Sequence, residues 1–306
     1  MITEVKAKLG RVGVWLGGPH VHGAPVESWR HAVRRVEQLG YGSLWGPEGI
    51  SGKDALVNAG IQLAASGQLV IGTGIANIWA RHPATMQGGA AMLAEAHPGR
   101  FVLGIGVSHR FLVEANGLDY SHPLKIMRDY LDKMDQAVAR NPPPEPFVRV
   151  VAALQPKMVE LARDRTDGVH SFSAPVEHTA LVRKALGSDK LLIPEQAFII
   201  EPDPQQARAI ARRYRGRTGP DSPYARNWSR LGYSRQDIAD GGSDRLVDAL
   251  VAWGTPEAVA ARVQAQLDAG ADHVLVHPIT DDLTTAIRQL EQLASALPRG
   301  LVFANS

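Results

Sequence analysis

The sequence predicts an α/β fold, a (β/α)8 TIM barrel with an insertion between the seventh and eighth strands. Short apolar runs alternate with amphipathic segments along the chain, which is typical of βαβ units with parallel strands. The stretch 68–109 contains a strand, a helix and a strand, a complete unit whose two strands are continuous apolar runs. Because no antiparallel excursion interrupts the eight repeats, a closed barrel is favoured over an open sheet.

The predicted elements follow the chain in a regular order. The strands are expected from apolar runs at 12–16, 43–45, 69–71, 101–107, 147–154, 168–172, 191–200 and 273–277. The helices are expected from amphipathic spacing and from prolines near their first turns, at 26–39, 53–65, 83–97, 122–140, 156–165, 175–186, 204–214, 256–269 and 283–297. Residues 215–254, rich in Arg, Gly, Ser and Asp, predict an insertion with short helices inside a single domain that spans 1–306.

Composition excludes several classes of function. The formal net charge of +2 is mild and the basic residues are scattered, so nucleic acid is not an expected partner. The chain has no cysteine, which rules out disulfides and thiolate chemistry. The first ten residues lack the apolar core of a signal peptide, and no run of eighteen apolar residues exists. We therefore expect a cytoplasmic protein that does not enter membranes and acts on a small molecule.

The residues that follow the predicted strands are candidates for a functional site, because barrels bind ligands at the carboxyl ends of their strands. Glu48 follows the second strand, and its carboxylate could orient a substrate, exchange a proton or simply cap a helix. His109 follows the fourth strand and could act as a general acid or base, or as a structural rim residue. The helix start at Gln155-Pro156-Lys157 offers free N–H groups that would suit a phosphate, although helix starts without ligands are common.

Glycines end two neighbouring strands, which raises the question of nucleotide binding. A Rossmann fingerprint needs a third glycine, and Asn77 and His109 occupy the two candidate positions. No Walker A sequence exists. The turn at residues 74–77 could instead let the backbone approach a flat ligand closely, although a plain strand-to-loop bend explains the spacing equally well.

A metal-dependent barrel hydrolase is an alternative from a different class of function. His20 and His22 form a His-x-His pair after the first strand, and further histidines lie near the ends of later strands: His109, His170 and His277. The pair lies beyond a Gly-Gly-Pro loop rather than on the strand. No aspartate ends the eighth strand, where such hydrolases place a base. This remains the alternative interpretation.

At these positions the sequence resembles the bacterial luciferase-like family, in particular its deazaflavin branch, the coenzyme F420-dependent oxidoreductases. The matching stretches are YGSLWGPE, VIGTGIANIWARHPATMQGGAAMLAEAHPGRFVLGIGVSH, AALQPKMVELARDRTDGV and DALVAWGTPEAVAARVQAQLDAGADHVLVHP. They occur in order over most of the chain. The resemblance implies hydride transfer between C5 of coenzyme F420 and a small organic substrate, and a homodimer.

The resemblance also implies a cofactor site at the end of the third strand. In relatives this end holds a non-prolyl cis peptide in a bulge behind the deazaflavin ring, and the matching bond here is Gly74–Ile75. Ala76 and Asn77 follow it and would line the ring. The cofactor-binding residues implied in this way are Gly74, Ile75, Ala76, Asn77, Ser108, Gln155, Pro156 and Lys157.

Two residues are predicted as catalytic, Glu48 and His109. The acid after strand two, often Asp-His in relatives, is Glu48-Gly49 here. A catalytic acid of a sugar-phosphate-oxidising branch corresponds to His109, which makes a sugar phosphate a poor substrate expectation. Trp15 and Trp79 are expected to wall the substrate space or to belong to the core. An FMN-dependent monooxygenase and a non-catalytic cofactor-binding barrel remain open as alternatives.

Overall fold

The computed structural model describes residues 2–18, 20, 23–50, 52–216, 219 and 221–303, and it has the predicted barrel architecture. The strands are β1 Val12–Trp15, β2 Ser43–Gly46, β3 Val70–Thr73, β4 Ala76–Asn77, β5 Phe101–Gly106, β6 Val148–Ala152, β7 Gly168–Ser171, β8 Leu191–Ile200, β9 Val251–Gly254 and β10 Val274–Pro278. The helices are α1 Ile2–Leu9, α2 Val26–Gln38, α3 Ala55–Ala65, α4 Pro83–Ala96, α5 Arg110–Glu114, α6 Pro123–Arg140, α7 Pro156–Arg165, α8 Val176–Leu186, α9 Pro204–Arg215, α10 Pro223–Arg230, α11 Arg235–Ile238, α12 Asp244–Leu250, α13 Pro256–Asp268 and α14 Leu283–Ala296.

The sheet closes into a barrel through parallel pairs. Its order is β10-β1-β2-β3-β5-β6-β7-β8, and β8 pairs with β10 to complete the ring. The short strand β4 continues β3 along β5 after a two-residue interruption. Since every ladder is parallel, all strand ends of one kind meet at one rim, and the predicted fold is confirmed.

Four elements were not predicted from the sequence, and two of them are the short strand β4 and the five-residue helix α5. The other two are β9 and α1. Strand β9 lies within the segment expected to contain only short helices, and it extends the sheet by pairing with the upper half of β8, at Ala197 to Ile200. Helix α1 is short and rich in charge, but Val5 and Leu9 are buried with the interior side chains of the barrel. Burial of these two side chains favours a helix that covers the amino-terminal end of the barrel.

The insertion packs as a small layer on the opposite, carboxyl-terminal side. Its helices α10 and α12 share an apolar cluster with the upper part of β8, and the central buried side chains of this cluster are Ile199, Ala211, Trp228, Tyr233 and Leu246. The indole Nε1–H of Trp228 donates to the carbonyl of Ser173, just beyond β7, at 3.1 Å. The insertion therefore lies against the rim where the candidate site residues were predicted.

Candidate active site at the carboxyl-terminal mouth of the barrel

The bend between β3 and β4 shapes one side of the mouth. The peptide bond between Gly74 and Ile75 is cis, as the resemblance implied. Three hydrogen bonds hold the bend: the Gly74 N–H donates to Gly46 at 2.7 Å, the Ile75 carbonyl accepts from the Glu48 N–H at 3.0 Å, and the Trp15 indole donates to the Gly74 carbonyl at 2.9 Å. The backbone at this point is therefore fixed to both β1 and β2.

The side chain of Ile75 lies against Gly106, at the end of β5. A Cβ atom added at Gly106 would lie only 2.8 Å from the Ile75 Cγ1, so a glycine is needed there to leave room for Ile75. Ile75 is half-buried, whereas Ala76 and Asn77 are fully buried. Ala76 packs in the layer between barrel and helices, and the Asn77 Nδ2 has no hydrogen-bond partner among the described residues. Of the four predicted cofactor residues at the bend, Ile75 alone is partly exposed, and the prediction that Ala76 and Asn77 line the ring stays a prediction.

The glycines that end these strands also make room for aromatic side chains below the mouth. A Cβ atom at Gly72 would lie 2.2 Å from the Trp45 ring, and one at Gly104 would lie 3.3 Å from it. Trp45 is completely buried. An indole of the chain itself therefore fills the space beside Gly72 and Gly104. The suggestion that the turn at residues 74–77 lets the backbone approach a flat ligand stays a prediction.

Glu48 is buried and its carboxylate is fully engaged. It accepts hydrogen bonds from the backbone N–H groups of Ala55 at 3.0 Å and Asn77 at 2.7 Å, and both guanidinium N–H groups of Arg81 donate to it. Arg81 also bonds to the half-exposed Asp54 at 2.7 Å. In this arrangement Glu48 ties the start of α3 to the β3–β4 bend, and the suggestion that it exchanges a proton stays a prediction.

His109 lies directly before α5, just beyond β5, the strand that pairs with β3 and β4. Its Nε2 is 3.4 Å from the Tyr224 hydroxyl of the insertion, and its ring stacks on Phe111 with a centroid separation of 5.9 Å. Burial lowers the pKa of the His109 imidazole below its ordinary value. A neutral imidazole at neutral pH can accept a proton, so the predicted acid–base role stays open.

The remaining predicted cofactor residues lie around the same rim. Ser108 has a positive φ of 58° and its carbonyl accepts from Tyr120 at 3.0 Å. The side-chain amide of Gln155 donates to the Pro223 carbonyl at 3.1 Å, which fixes the start of α10 over the mouth. Pro156 and Lys157 are exposed at the start of α7.

A second polar group contains Glu195, which sequence reasoning missed, and His277, which was considered only as a possible metal ligand. Glu195 on β8 is 2% exposed, and one of its oxygens is 2.8 Å from the Nδ1 of His277 on β10. The Nε2 of His277 is 3.2 Å from the hydroxyl of Tyr214 at the end of α9. The rings of Trp15 and Phe172 lie 4.4 Å and 5.9 Å from the His277 ring. A carboxylate inside the apolar run LLIPEQAFII was the available signal, since a buried acid needs a partner.

The two tryptophans expected at the mouth differ in exposure. Trp15 is 6% exposed and packs against both Phe172 and His277. Trp79 is half-buried, donates its indole N–H to the Val107 carbonyl at 2.8 Å and lies beside Tyr120. Trp15 belongs to a buried apolar cluster, and the indole N–H groups of both residues are bonded to backbone carbonyls. Their role as walls of the substrate space stays a prediction.

The histidines considered for a metal site are engaged in other contacts. His20 is buried, its Nε2 bonds to Thr280 at 2.9 Å, and burial is the main cause that lowers its pKa to about 4. His22 lies outside the described residues. His170 bonds to the Ile193 carbonyl at 2.8 Å. Within the part of the chain that the structure describes, no group of three or more acidic or histidine side chains is placed to hold a metal ion.

Comparison with known proteins identifies the family of the chain. The family model of luciferase-like monooxygenases matches residues 9–273. The chain belongs to the luciferase-like monooxygenase family. A 5,10-methylenetetrahydromethanopterin reductase of Methanolobus tindarius is 24% identical over 307 residues, which cover 86% of this chain and 94% of the relative.

Solved structures of luciferase-like relatives share the fold. An F420-dependent secondary alcohol dehydrogenase in complex with an F420–acetone adduct has a TM-score of 0.75 at 15% identity, over 94% of this chain and 99% of the other. The coenzyme F420-dependent tetrahydromethanopterin reductase from Methanopyrus kandleri has the same TM-score and identity, over 94% and 98%. The oxygenating constituent of 3,6-diketocamphane monooxygenase from Pseudomonas putida, in complex with FMN, has a TM-score of 0.69 at 13% identity, over 97% and 100%.

No helix in the described ranges has both the length and the apolar character that a membrane crossing needs.

Proposed function

We propose that this member of the luciferase-like family is a coenzyme F420-dependent oxidoreductase that transfers a hydride between the deazaflavin and a small organic substrate. The observation that carries the proposal is the β3–β4 bend, which presents Ile75 to the mouth and is held from behind by Trp15. The relative of Methanolobus tindarius is a reductase, and two of the similar structures are F420-dependent enzymes.

The residues at the mouth suit a flat, partly apolar ring. Ile75 offers a half-buried aliphatic surface, and Gly106 leaves the space in which that side chain lies. The exposed start of α7 at Pro156 and Lys157 would suit the anionic tail, because its backbone N–H groups and ammonium are positive. When bound, the deazaflavin supplies the hydride chemistry at C5.

The residues of the chain itself would position the ring and exclude water from the reacting centre. Glu48 and Arg81 fix the loop that follows β2 against the bend, so the support of the ring is rigid. Helix α10 covers the mouth through Tyr224 and the bond between Gln155 and Pro223, which excludes water from the reacting centre. His109, neutral near pH 7 because of its lowered pKa, is available to take up a proton.

FMN is the second candidate cofactor. A structurally similar monooxygenase contains FMN, and the family description refers to monooxygenases. An FMN-dependent monooxygenase would use the same bend for the isoalloxazine ring, so the cofactor preference separates the two functions.

Titration of the purified chain with coenzyme F420 and with FMN tests the proposal. We expect micromolar binding of F420, about −8 kcal/mol, and weaker binding of FMN. In Gly106→Ala the new Cβ collides with Ile75, so F420 affinity is expected to fall at least roughly tenfold, or about 1.4 kcal/mol. Gly88→Ala, which meets no atom within 4 Å, is the matched control. Tight FMN binding without F420 binding would overturn the proposal.

We further propose a homodimer, as the resemblance implies. Val57 on α3 is 64% exposed and Met92 on α4 is 67% exposed, and these two helices pack on each other. Large apolar side chains on neighbouring outer helices are typical of a surface that a second copy covers.

A further inference from the structure

The mouth contains a buried acid whose partner is a histidine rather than a lysine or an arginine. One Glu195 oxygen lies 2.8 Å from the Nδ1 of His277, and the other accepts the Ser173 N–H at 2.9 Å. Both side chains are at most 2% exposed. Among the described residues no lysine or arginine forms an ion pair with Glu195, so His277 and the Ser173 amide alone compensate its charge.

This pair continues to the surface of the mouth. Because a carboxylate only accepts hydrogen bonds, Glu195 places the proton of a neutral His277 on Nδ1 and leaves Nε2 as an acceptor. The Nε2 faces the Tyr214 hydroxyl at 3.2 Å, and Tyr214 is 40% exposed. A chain of carboxylate, imidazole and phenol thus leads from the barrel interior to the open mouth.

The chain is adjacent to the proposed cofactor site. Trp15 connects the two, since its ring packs on His277 at 4.4 Å while its Nε1–H bonds to the Gly74 carbonyl. Phe172 packs on both Trp15 and His277, and Tyr224 lies 6.4 Å beyond Phe172. These walls are aromatic and uncharged, which favours an uncharged organic substrate over an anion.

We propose that Tyr214, His277 and Glu195 form a proton relay that serves the oxidation of an uncharged alcohol, or the reverse reduction of its ketone or aldehyde. The inference rests on the proposed F420-dependent function. In the oxidation, the substrate C–H bond breaks and the hydride passes to the oxidised deazaflavin, which is thereby reduced. The hydroxyl proton passes to the Tyr214 oxygen while the Tyr214 proton passes to the His277 Nε2. Tyr214 is the catalytic residue, His277 holds the proton, and Glu195 is a positioning residue.

The groups around the relay are compatible with this direction of transfer. His20 is close enough to His277 for their charges to interact, but burial keeps His20 neutral, with a pKa of about 4. His170 is close enough to Glu195 for their charges to interact, and burial lowers the pKa of His170 as well. Tyr224 is close enough to Tyr214 for an electrostatic interaction between the two hydroxyls. The flanking histidines therefore stay neutral near pH 7.

The first measurement needs no cofactor. In the protein labelled with ¹⁵N-histidine, the His277 ring signals are identified by their loss in His277→Gln, and we expect the Nδ1–H tautomer at neutral pH. Glu195→Gln is expected to abolish this preference, because an amide can donate to Nδ1 as well as accept from it. A wild-type His277 in the Nε2–H tautomer would overturn the relay.

The second measurement uses oxidised F420 with 2-propanol, 2-butanol, cyclohexanol and benzyl alcohol as probes, followed by the deazaflavin absorbance. Tyr214→Phe is expected to lower kcat by roughly 10²-fold and to remove its solvent isotope effect, with the Kd for F420 unchanged. Tyr41→Phe is the matched control, since the buried Tyr41 loses a bond to the Leu290 carbonyl far from the mouth and should keep kcat.

The outcomes separate the relay from the function on which it rests. Absence of F420 binding in the wild type overturns the proposed function and the relay with it. F420 binding without turnover of any probe alcohol, or an unchanged kcat in Tyr214→Phe, overturns the relay alone. If Glu195→Gln does not fold, the partly exposed Tyr214→Phe and the wild-type tautomer still decide the question.

Discussion

Replacement of Glu48 by glutamine is expected to loosen the β3–β4 bend and to lower the stability of the whole barrel. The Glu48 carboxylate accepts four hydrogen bonds, two from backbone N–H groups and two from Arg81, and its side chain is 3% exposed. A glutamine keeps one acceptor oxygen and turns an NH2 group toward the other donors. At least one buried donor is therefore left facing another donor.

The expected cost follows from these contacts. Breaking a buried ion pair by removing one partner costs about 3–5 kcal/mol. Since Arg81 keeps its bond to Asp54, we expect Glu48→Gln to lower the free energy of unfolding by about 3 kcal/mol. Asp54→Asn is the matched control, because Asp54 pairs with the same Arg81 but is 47% exposed, so its loss should cost about 0–1 kcal/mol. Asparagine also retains the cap that Asp54 provides to α3.

Urea unfolding of the three proteins, with the slope and the midpoint both fitted, measures the difference. The F420 affinity of each variant shows whether the bend and the cofactor site are coupled. A Glu48→Gln protein that is no less stable than Asp54→Asn would refute the role of Glu48 as the anchor of the bend. The carboxylate would then be free for the proton exchange that the sequence suggested.

Three further outcomes are expected. Gly72→Ala places a Cβ 2.2 Å from the Trp45 ring and should lower the free energy of unfolding by about 1–3 kcal/mol. Gly88→Ala, on an exposed helix face, should raise it by up to about 1 kcal/mol. Equal effects of the two substitutions in thermal unfolding would contradict the packing of Trp45 against Gly72. Met92→Glu should convert the dimer to a monomer in light scattering, and Leu181→Glu, 47% exposed on α8, should not; a monomeric wild type would refute the dimer. The free energy of unfolding should fall as the pH drops from about 6.5 to 4, because histidines take up protons in the unfolded state but stay neutral when buried in the folded state. Urea midpoints that stay constant over this range would contradict this expectation. The histidines whose pKa burial lowers to about 4 are His20, His178 and His273.

The barrel could be predicted from the sequence because its strands are buried on both faces and read as continuous apolar runs. Strand β9 could not, since its four residues follow α12 without a turn signal, and they form a strand only because the upper half of β8 offers a free edge. Helix α1 is too short to be stable alone, and it forms where Val5 and Leu9 cover the open end of the barrel. Both elements depend on partners distant in sequence.

The site, like the fold, could be predicted from the sequence only in part. The cis bond at Gly74–Ile75 could be located by resemblance, because the residues around it are contiguous in sequence. The partnership of Glu195 with His277 could not, since 82 residues separate them and only the closure of β8 onto β10 brings them together. The bond between Glu48 and Arg81 was missed for the same reason, because the two residues lie in different loops and no local pattern links them.

The position of the bound ring tests the central claim most directly. A crystal structure of the chain grown with oxidised coenzyme F420 is expected to show the deazaflavin ring against Ile75 at the β3–β4 bend, with Trp15 behind that bend. Density for the ring at any other place, or a mouth that stays without it at a saturating concentration, would contradict the assignment of this bend as the cofactor site.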